Sequence, residues 1–299
     1  MACFSPLAAF QLASGSVVFV ERGDIVRALT LPCGQCVGCR LDRSRQWAIR
    51  ILHESQCHAT NSFVTLTYDE EHYRPSLAYD DFRLFLKRAR YNLGPFRFFM
   101  CGEYGETLRR PHFHACLFGL GFADRVLHTI SGSGFPVFRS ATLESLWPSG
   151  FSSLGDLSFE SAAYCARYVM KKVTGNGAPI HYREFFDYRT GEVHEVVPEF
   201  CRMSLKPGIG APWISRFNKE VYRGDADSYV VVNGMKVKPP RYYDQWMDSH
   251  DLAMTEMDEV RHDRFKKSLL CRDDCTPDRL AVRETVTRAR LRLKVRNLE

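Results

Sequence analysis

The chain has 299 residues, of which 45% are hydrophobic and 25% charged, and a net charge of +6. That composition suits a folded protein of one or two domains and argues against a disordered or fibrous one. No run approaches 18 uncharged apolar residues, and the start Met-Ala-Cys-Phe-Ser-Pro lacks the basic and apolar regions of a signal peptide, so a cytoplasmic location is expected.

Eleven cysteines, an odd number without an export signal, fit reduced thiols or metal ligands better than a disulfide framework. Cys33, Cys36 and Cys39 have the spacing of a metal-binding knuckle. Three thiolates are one short of a closed tetrahedral zinc site, and Cys3, His53, Cys57 and His58 are candidates for the fourth ligand. A structural Zn²⁺ and no metal are both open readings, and an iron–sulfur cluster fits less well.

Residues 43–55 carry Trp47, Ala48, Ile51 and Leu52 at helical spacing, which predicts a first helix. Residues 63–68, β-branched and aromatic, predict a strand. Phe82, Phe85, Leu86 and Ala89 predict a second helix, ended by Gly94-Pro95. Residues 97–101 and 113–117 predict an antiparallel pair around a polar loop from Glu103 to Pro111. Ser158 is placed to cap a helix reaching about Val173, with Ala162, Ala166, Val169 and Val173 on an apolar stripe and Tyr164, Tyr168 and Lys171 opposite it. Residues 230–237 predict a hairpin turning at Asn233-Gly234. Thr276-Pro277 predicts a terminal helix with Val282, Val286, Ala289 and Leu293 on one side.

On a strand, residues i and i+2 share a face, so His112 and His114 would present two imidazoles to one point while Phe113 turns into the core. A divalent ion that supports phosphoryl transfer takes mixed nitrogen and oxygen ligands with open positions. Glu103 is the expected carboxylate, with Glu106 the second choice. A His-x-His pair facing solvent on an exposed strand would look the same. A phenol, with a pKa of about 10, is a poor nucleophile near neutral pH unless a metal makes its phosphate target more electrophilic. A tyrosine pair at i, i+4 is more often a packing pair, and Lys171 on the same face is what argues otherwise. Tyrosine attack on a phosphodiester would leave a 5′-phosphotyrosine link and a 3′-hydroxyl, conserving the bond energy for rejoining. A nearby lysine would stabilise the charge that develops.

Between residues 278 and 299, seven Lys/Arg against three Asp/Glu account for +4 of the net charge. An anionic polymer suits such a segment, and a solvated helix face is the alternative. Lys236, Lys238, Arg241, Tyr242 and Tyr243 alternate charge with aromatic surface, as single-stranded DNA binding requires. An ordinary surface hairpin would look similar. No Gly-x-x-x-x-Gly-Lys-Ser/Thr loop is present.

The order of these motifs resembles that of the HUH endonucleases, which initiate rolling-circle replication. The residues that carry it are 63–67, Pro111-His112-Phe113-His114, and Tyr164-x-x-x-Tyr168-x-x-Lys171. More narrowly, Pro32-Cys33-Gly34-Gln35-Cys36-Val37-Gly38-Cys39-Arg40, Cys101-Gly102-Glu103-Tyr104-Gly105-Glu106, Pro239-Pro240-Arg241-Tyr242-Tyr243 and Leu280-Ala281-Val282-Arg283-Glu284-Thr285 are similar to replication initiators of gokushovirus-type microviruses, small single-stranded DNA bacteriophages. The resemblance runs nearly end to end. It implies an α+β fold whose HUH core has an antiparallel sheet of about five strands flanked by helices. Three parts are expected: a Cys-rich segment and first helix over 1–60, the core over 61–175, and a C-terminal extension with hairpin and basic helix over 176–299, separate from the core or packed with it.

The resemblance further implies a two-tyrosine mechanism with Mg²⁺ or Mn²⁺ at His112, His114 and Glu103. One tyrosine nicks the duplex replicative form at the origin, a polymerase extends the 3′-hydroxyl, the second tyrosine cleaves the regenerated origin, and ligation closes a circle. The implied partners are single-stranded DNA, the viral origin duplex, and a host helicase and polymerase in the bacterial cytoplasm, with no membrane. Two other classes stay open: a non-enzymatic, zinc-stabilised DNA-binding protein, and a metal-dependent phosphoesterase that uses water.

Overall fold

This computed structural model describes residues 3–105, 109–171, 178–187, 189–223, 228–250 and 254–292, without the side chains of 168–171 and 254–256. The chain opens with β1 (Leu7–Leu12), β2 (Val17–Val18) and β3 (Ile25–Leu31), a small antiparallel sheet in the order β2-β1-β3. Helix α1 (Val37–Ser55) follows with Cys36 as its N-cap, so it starts well before the expected residue 43. Val37-Gly38-Cys39 gives a poor helical signal, because glycine costs about 1 kcal/mol in a helix relative to alanine. The cysteine knuckle and the first turn of α1 are therefore one unit.

The core is built from β4 (Asn61–Tyr68), α2 (Tyr79–Leu93), β5 (Arg97–Tyr104), β6 (Pro111–Phe118), β7 (Val126–Ile130), β8 (Pro136–Arg139), α3 (Ala141–Leu146), β9 (Gly150–Gly155) and α4 (Phe159–Lys171). Short elements follow: α5 (Ala178–Arg183), β10 (Phe185–Phe186), β11 (Val193–His194) and β12 (Phe200–Met203). Among the described residues the largest sheet has seven antiparallel strands in the order β12-β5-β6-β4-β9-β8-β7, where about five were expected. The two additional strands are a ribbon, β7 and β8, joined to β9 through the single pair Phe138↔Leu154. On the other side β12, from the C-terminal part, covers the edge of β5 that would otherwise expose its backbone hydrogen-bonding groups.

Every residue of β6 is buried, because both faces of the sheet are covered. On one face Phe113, Ala115 and Leu117 meet Phe82, Phe85, Leu86 and Ala89 of α2 together with Trp147. On the other, Cys116 and Phe118 meet α4 and α1 through Ala162, Cys165, Ala166, Ala48 and Ile51. Gly102 in β5 keeps the first face tight, since a Cβ there would stand 3.1 Å from Leu77 and 3.3 Å from Phe113. The predicted cap on α4 is present: the Ser158 hydroxyl accepts from the Ser161 amide at 3.3 Å.

The C-terminal part comprises α6 (Ala211–Val221), β13 (Val230–Val232), β14 (Met235–Val237), α7 (Arg241–Ser249), α8 (Met254–Leu269) and α9 (Pro277–Arg292). The hairpin turns at Asn233-Gly234 as expected, both residues at positive φ. A third apolar cluster joins Ile49 of α1 to Ile214, Val230, Val232, Tyr243, Met247, Met257 and Val260. Tyr243, expected as aromatic surface, is fully buried: its hydroxyl sits 2.8 Å from His53 Nδ1, and its ring stacks beside Trp213. The apolar side expected on α9 is also corrected, since Leu280 is buried whereas Val282 and Val286 are exposed and Leu293 is outside the described residues. Among the described residues, no helix is long and apolar enough to cross a membrane.

Candidate active site

The β5–β6 hairpin brings three ligand-bearing residues to one face of the sheet. Register pairs Glu103 with His112 and Cys101 with His114, so Glu103 lies opposite one histidine and diagonal to the other. Glu103 Oε1 is 2.7 Å from His112 Nε2 and 2.9 Å from His114 Nε2. All three residues are buried. The far side of each imidazole is also held. His112 Nδ1 donates to the Arg110 carbonyl at 3.1 Å, and His114 Nδ1 lies 2.9 Å from the Thr65 hydroxyl on β4. Such contacts fix ring orientation and turn the Nε2 atoms to one point.

Burial alone would raise the Glu103 carboxyl, but hydrogen bonds with His112 and His114 outweigh it and hold it at about 2. The carboxylate is therefore anionic at any physiological pH. Two imidazole nitrogens and one anionic oxygen, all within 4.8 Å of one another, make a donor set that suits a divalent ion with positions left for substrate oxygens. Glu106, the second choice for the carboxylate, is outside the described residues.

Tyr164 projects from α4 onto this centre. Its ring meets the His114 imidazole edge to face at 4.9 Å between centroids and Phe63 at 6.1 Å, and the Arg167 guanidinium lies 5.5 Å from its ring centre. Tyr164 does point away from Ala162 and Ala166, as the helical wheel requires, yet it is only 6% exposed. Both sides of α4 are covered because the helix lies between α1 and the sheet. Tyr168 and Lys171 continue the same helix, and their side chains lie outside the described residues.

The cysteine knuckle is completed by Cys3: Cys3, Cys33, Cys36 and Cys39 all have Sγ atoms within 4.8 Å of one another. The other three candidates are engaged elsewhere. His53 bonds Tyr243, the Cys57 thiol faces the His53 carbonyl, and His58 lies 3.4 Å from Glu54. Of the expected DNA-contacting residues, Lys238, Arg241 and Tyr242 line a groove of about 700 Å³ beside the knuckle. Lys236 instead places its ammonium 4.1 Å from the centre of the Tyr229 ring. Thr65, Arg167, and the groove residues Arg43, Arg45, Trp47 and Arg50 were not singled out from sequence as site residues. The arginines recur on one helix with Trp47 between them, which is a readable signal for the groove, whereas nothing local marks Thr65.

Residues 61–173, from β4 to just beyond α4, match the family of the replication-associated protein ORF2. Over 259 residues the chain is 33% identical to the replication-associated protein VP4 of Bdellovibrio phage phiMH2K, covering 82% of this chain and 77% of that one. The chain belongs to this family. A second phage replication-associated protein, ORF2 of Spiroplasma virus 4, is 31% identical over 292 residues, covering 89% of this chain and 86% of that one. The replication-associated protein ORF4 of Chlamydia phage 1 is 26% identical over 250 residues, covering 80% of this chain and 59% of that one. No solved structure matches. The chain is thus a replication-associated protein of the microvirus type, and the matched segment holds the histidine hairpin and the tyrosine helix.

Proposed function

We propose that this replication-associated protein is a metal-dependent tyrosine endonuclease and joining enzyme with an HUH core, which nicks single-stranded DNA at the replicative-form origin to start rolling-circle replication. One observation carries the reading: the ring of Tyr164 stands against His114, within a centre where His112, His114 and Glu103 converge. A divalent ion bound by those three side chains, Mg²⁺ or Mn²⁺, would draw charge from the scissile phosphate and the departing oxygen.

The protein's own groups do the rest. A phenolic oxygen from Tyr164 or Tyr168 attacks phosphorus and gives up its proton. The new Tyr–O–P bond holds the 5′ side while the P–O3′ bond breaks, and the 3′-oxygen takes up a proton to leave as a hydroxyl. Arg167 beside the Tyr164 ring, and Lys171 one turn further along α4, favour the negative charge that builds on the phenol and phosphate. Joining is the reverse step, with a 3′-hydroxyl attacking the phosphotyrosine. Tyrosines one helical turn apart, about 5 to 6 Å, can alternate at a single centre.

The test is incubation of the full chain with an origin-bearing oligonucleotide and Mn²⁺. A DNA adduct that survives denaturation is expected from the wild type and absent from His112→Ala/His114→Ala. Retarded DNA without an adduct at any metal concentration would favour a non-enzymatic binding protein. Cleavage that persists in Tyr164→Phe/Tyr168→Phe would favour hydrolysis by water.

A further inference from the structure

The four thiols of the knuckle come from separate parts of the chain: Cys3 from before β1, Cys33 and Cys36 from the loop after β3, and Cys39 from the first turn of α1. Their spacing is informative. Cys3 Sγ lies 3.6 Å from Cys33 Sγ and 3.9 Å from Cys36 Sγ. A disulfide would need about 2.05 Å. Zinc in a tetrahedron of thiolates, with bonds of about 2.3 Å, needs sulfurs about 3.8 Å apart. The observed separations straddle that edge length and suit a single ion. The backbone amides of Phe4, Cys33, Gln35 and Cys36 also donate to these sulfurs at 3.2 to 3.5 Å, which stabilises thiolate charge.

The same cysteines form one wall of the groove. Its opposite wall is the start of α7, and its floor is α1. Among the described residues lining it, Arg43, Arg45, Arg50, Lys238 and Arg241 outnumber a single carboxylate, Asp42. The Arg50 guanidinium is 4.0 Å from the centre of the Trp47 ring and 3.8 Å from that of Tyr242, so cation and aromatic surfaces alternate along the floor. The walls are tied together: Arg45 donates to the Lys238 carbonyl at 3.0 Å, and the Arg241 amide donates to Gln46 Oε1 at 3.0 Å. Burial and the nearby Arg264 push the Lys238 ammonium down, and an anion in the groove would offset both.

We propose that Cys3, Cys33, Cys36 and Cys39 form a closed tetrathiolate zinc site, distinct from the His112/His114/Glu103 centre, which holds one wall of a groove that binds single-stranded DNA. The zinc half stands on sulfur geometry alone. The DNA half rests on the reading that the chain acts on DNA, and names where a strand is held outside the nicking centre. Phosphates meet the five cations, and bases stack on the aromatic edges at Trp47 and Tyr242.

The experiment uses the full chain and needs no cleavage, so its outcome is independent of the nicking chemistry. Zinc is measured by atomic emission after dialysis against Mg²⁺. The cobalt-substituted protein is read by its thiolate-to-metal charge-transfer band. Affinity for a fluorescent oligo-dT is measured without divalent ions across a salt series. One zinc per chain is expected in the wild type and in His112→Ala/His114→Ala. Cys3→Ser should bind zinc at least tenfold more weakly, with a cobalt band of three thiolates instead of four. Both Cys3→Ser and Lys238→Gln/Arg241→Gln should lose at least tenfold in oligo-dT affinity. The salt slope of the latter should fall by roughly 1.4, at about 0.7 per single-strand phosphate contact. Wild-type protein that carries no zinc and shows no thiolate band with cobalt would overturn the metal site, whatever the variants do. Unchanged oligo-dT affinity and salt slope in Lys238→Gln/Arg241→Gln would overturn the groove.

Discussion

Glu103 stands opposite His112 across the β5–β6 ladder, with its Oε1 2.7 Å from the His112 Nε2. The pairing makes a strand residue, not a loop residue, the third member of the centre. Glu103→Gln keeps the shape and removes the charge. It should weaken Mn²⁺ binding, measured by calorimetry, by more than the roughly 10- to 100-fold that outer-shell changes cost. Affinity unchanged in that variant would remove Glu103 from the ligand set.

Thr65 acts on the centre through His114. Thr65→Val keeps the β-branched shape on β4 but removes the hydroxyl 2.9 Å from His114 Nδ1. A roughly tenfold or larger loss of Mn²⁺ affinity is expected, with the thermal midpoint of the metal-free protein nearly unchanged. A loss of stability without a loss of metal affinity would assign Thr65 to packing alone.

His53 gives the fold a pH dependence. Burial drives its pKa down to about 3, and it sits neutral between the Trp213 ring and the Tyr243 hydroxyl. Because the folded value lies below the ordinary 6.5, the contribution to stability is complete above about pH 6.5. It is lost as pH falls toward 3, by up to about 1.4 kcal/mol per pH unit. Urea midpoints across that range should fall for the wild type and fall less steeply for His53→Gln. Parallel profiles would contradict the assignment.

The sheet core was legible because its strands alternate. Phe113, Ala115 and Leu117 point one way and His112, His114 and Cys116 the other, so the histidine face could be read before any coordinates. The same rule places Glu103 on that face once the hairpin register is known, and register depends on where the turn falls. What the sequence hides is decided by distant packing. Tyr164 is buried because α1 closes over α4, and a helical wheel sees only one helix. Cys3 lies 30 residues from Cys33, too far for a spacing motif. Tyr243 belongs to the third apolar cluster although Lys236, Lys238 and Arg241 precede it, since α7 turns that one ring inward against His53 and Trp213. Strand β12 is four residues long and owes its existence to the open edge of β5.

The central claim is that a phenolic oxygen of α4 forms a covalent bond to DNA at the histidine centre. Its most direct test is peptide mapping of the denatured adduct formed with an origin oligonucleotide in Mn²⁺. Phosphotyrosine is expected at Tyr164 or Tyr168, with the adduct gone in Tyr164→Phe/Tyr168→Phe while oligonucleotide binding is retained. DNA attached to any other residue, or an adduct of wild-type yield in the double variant, would contradict it.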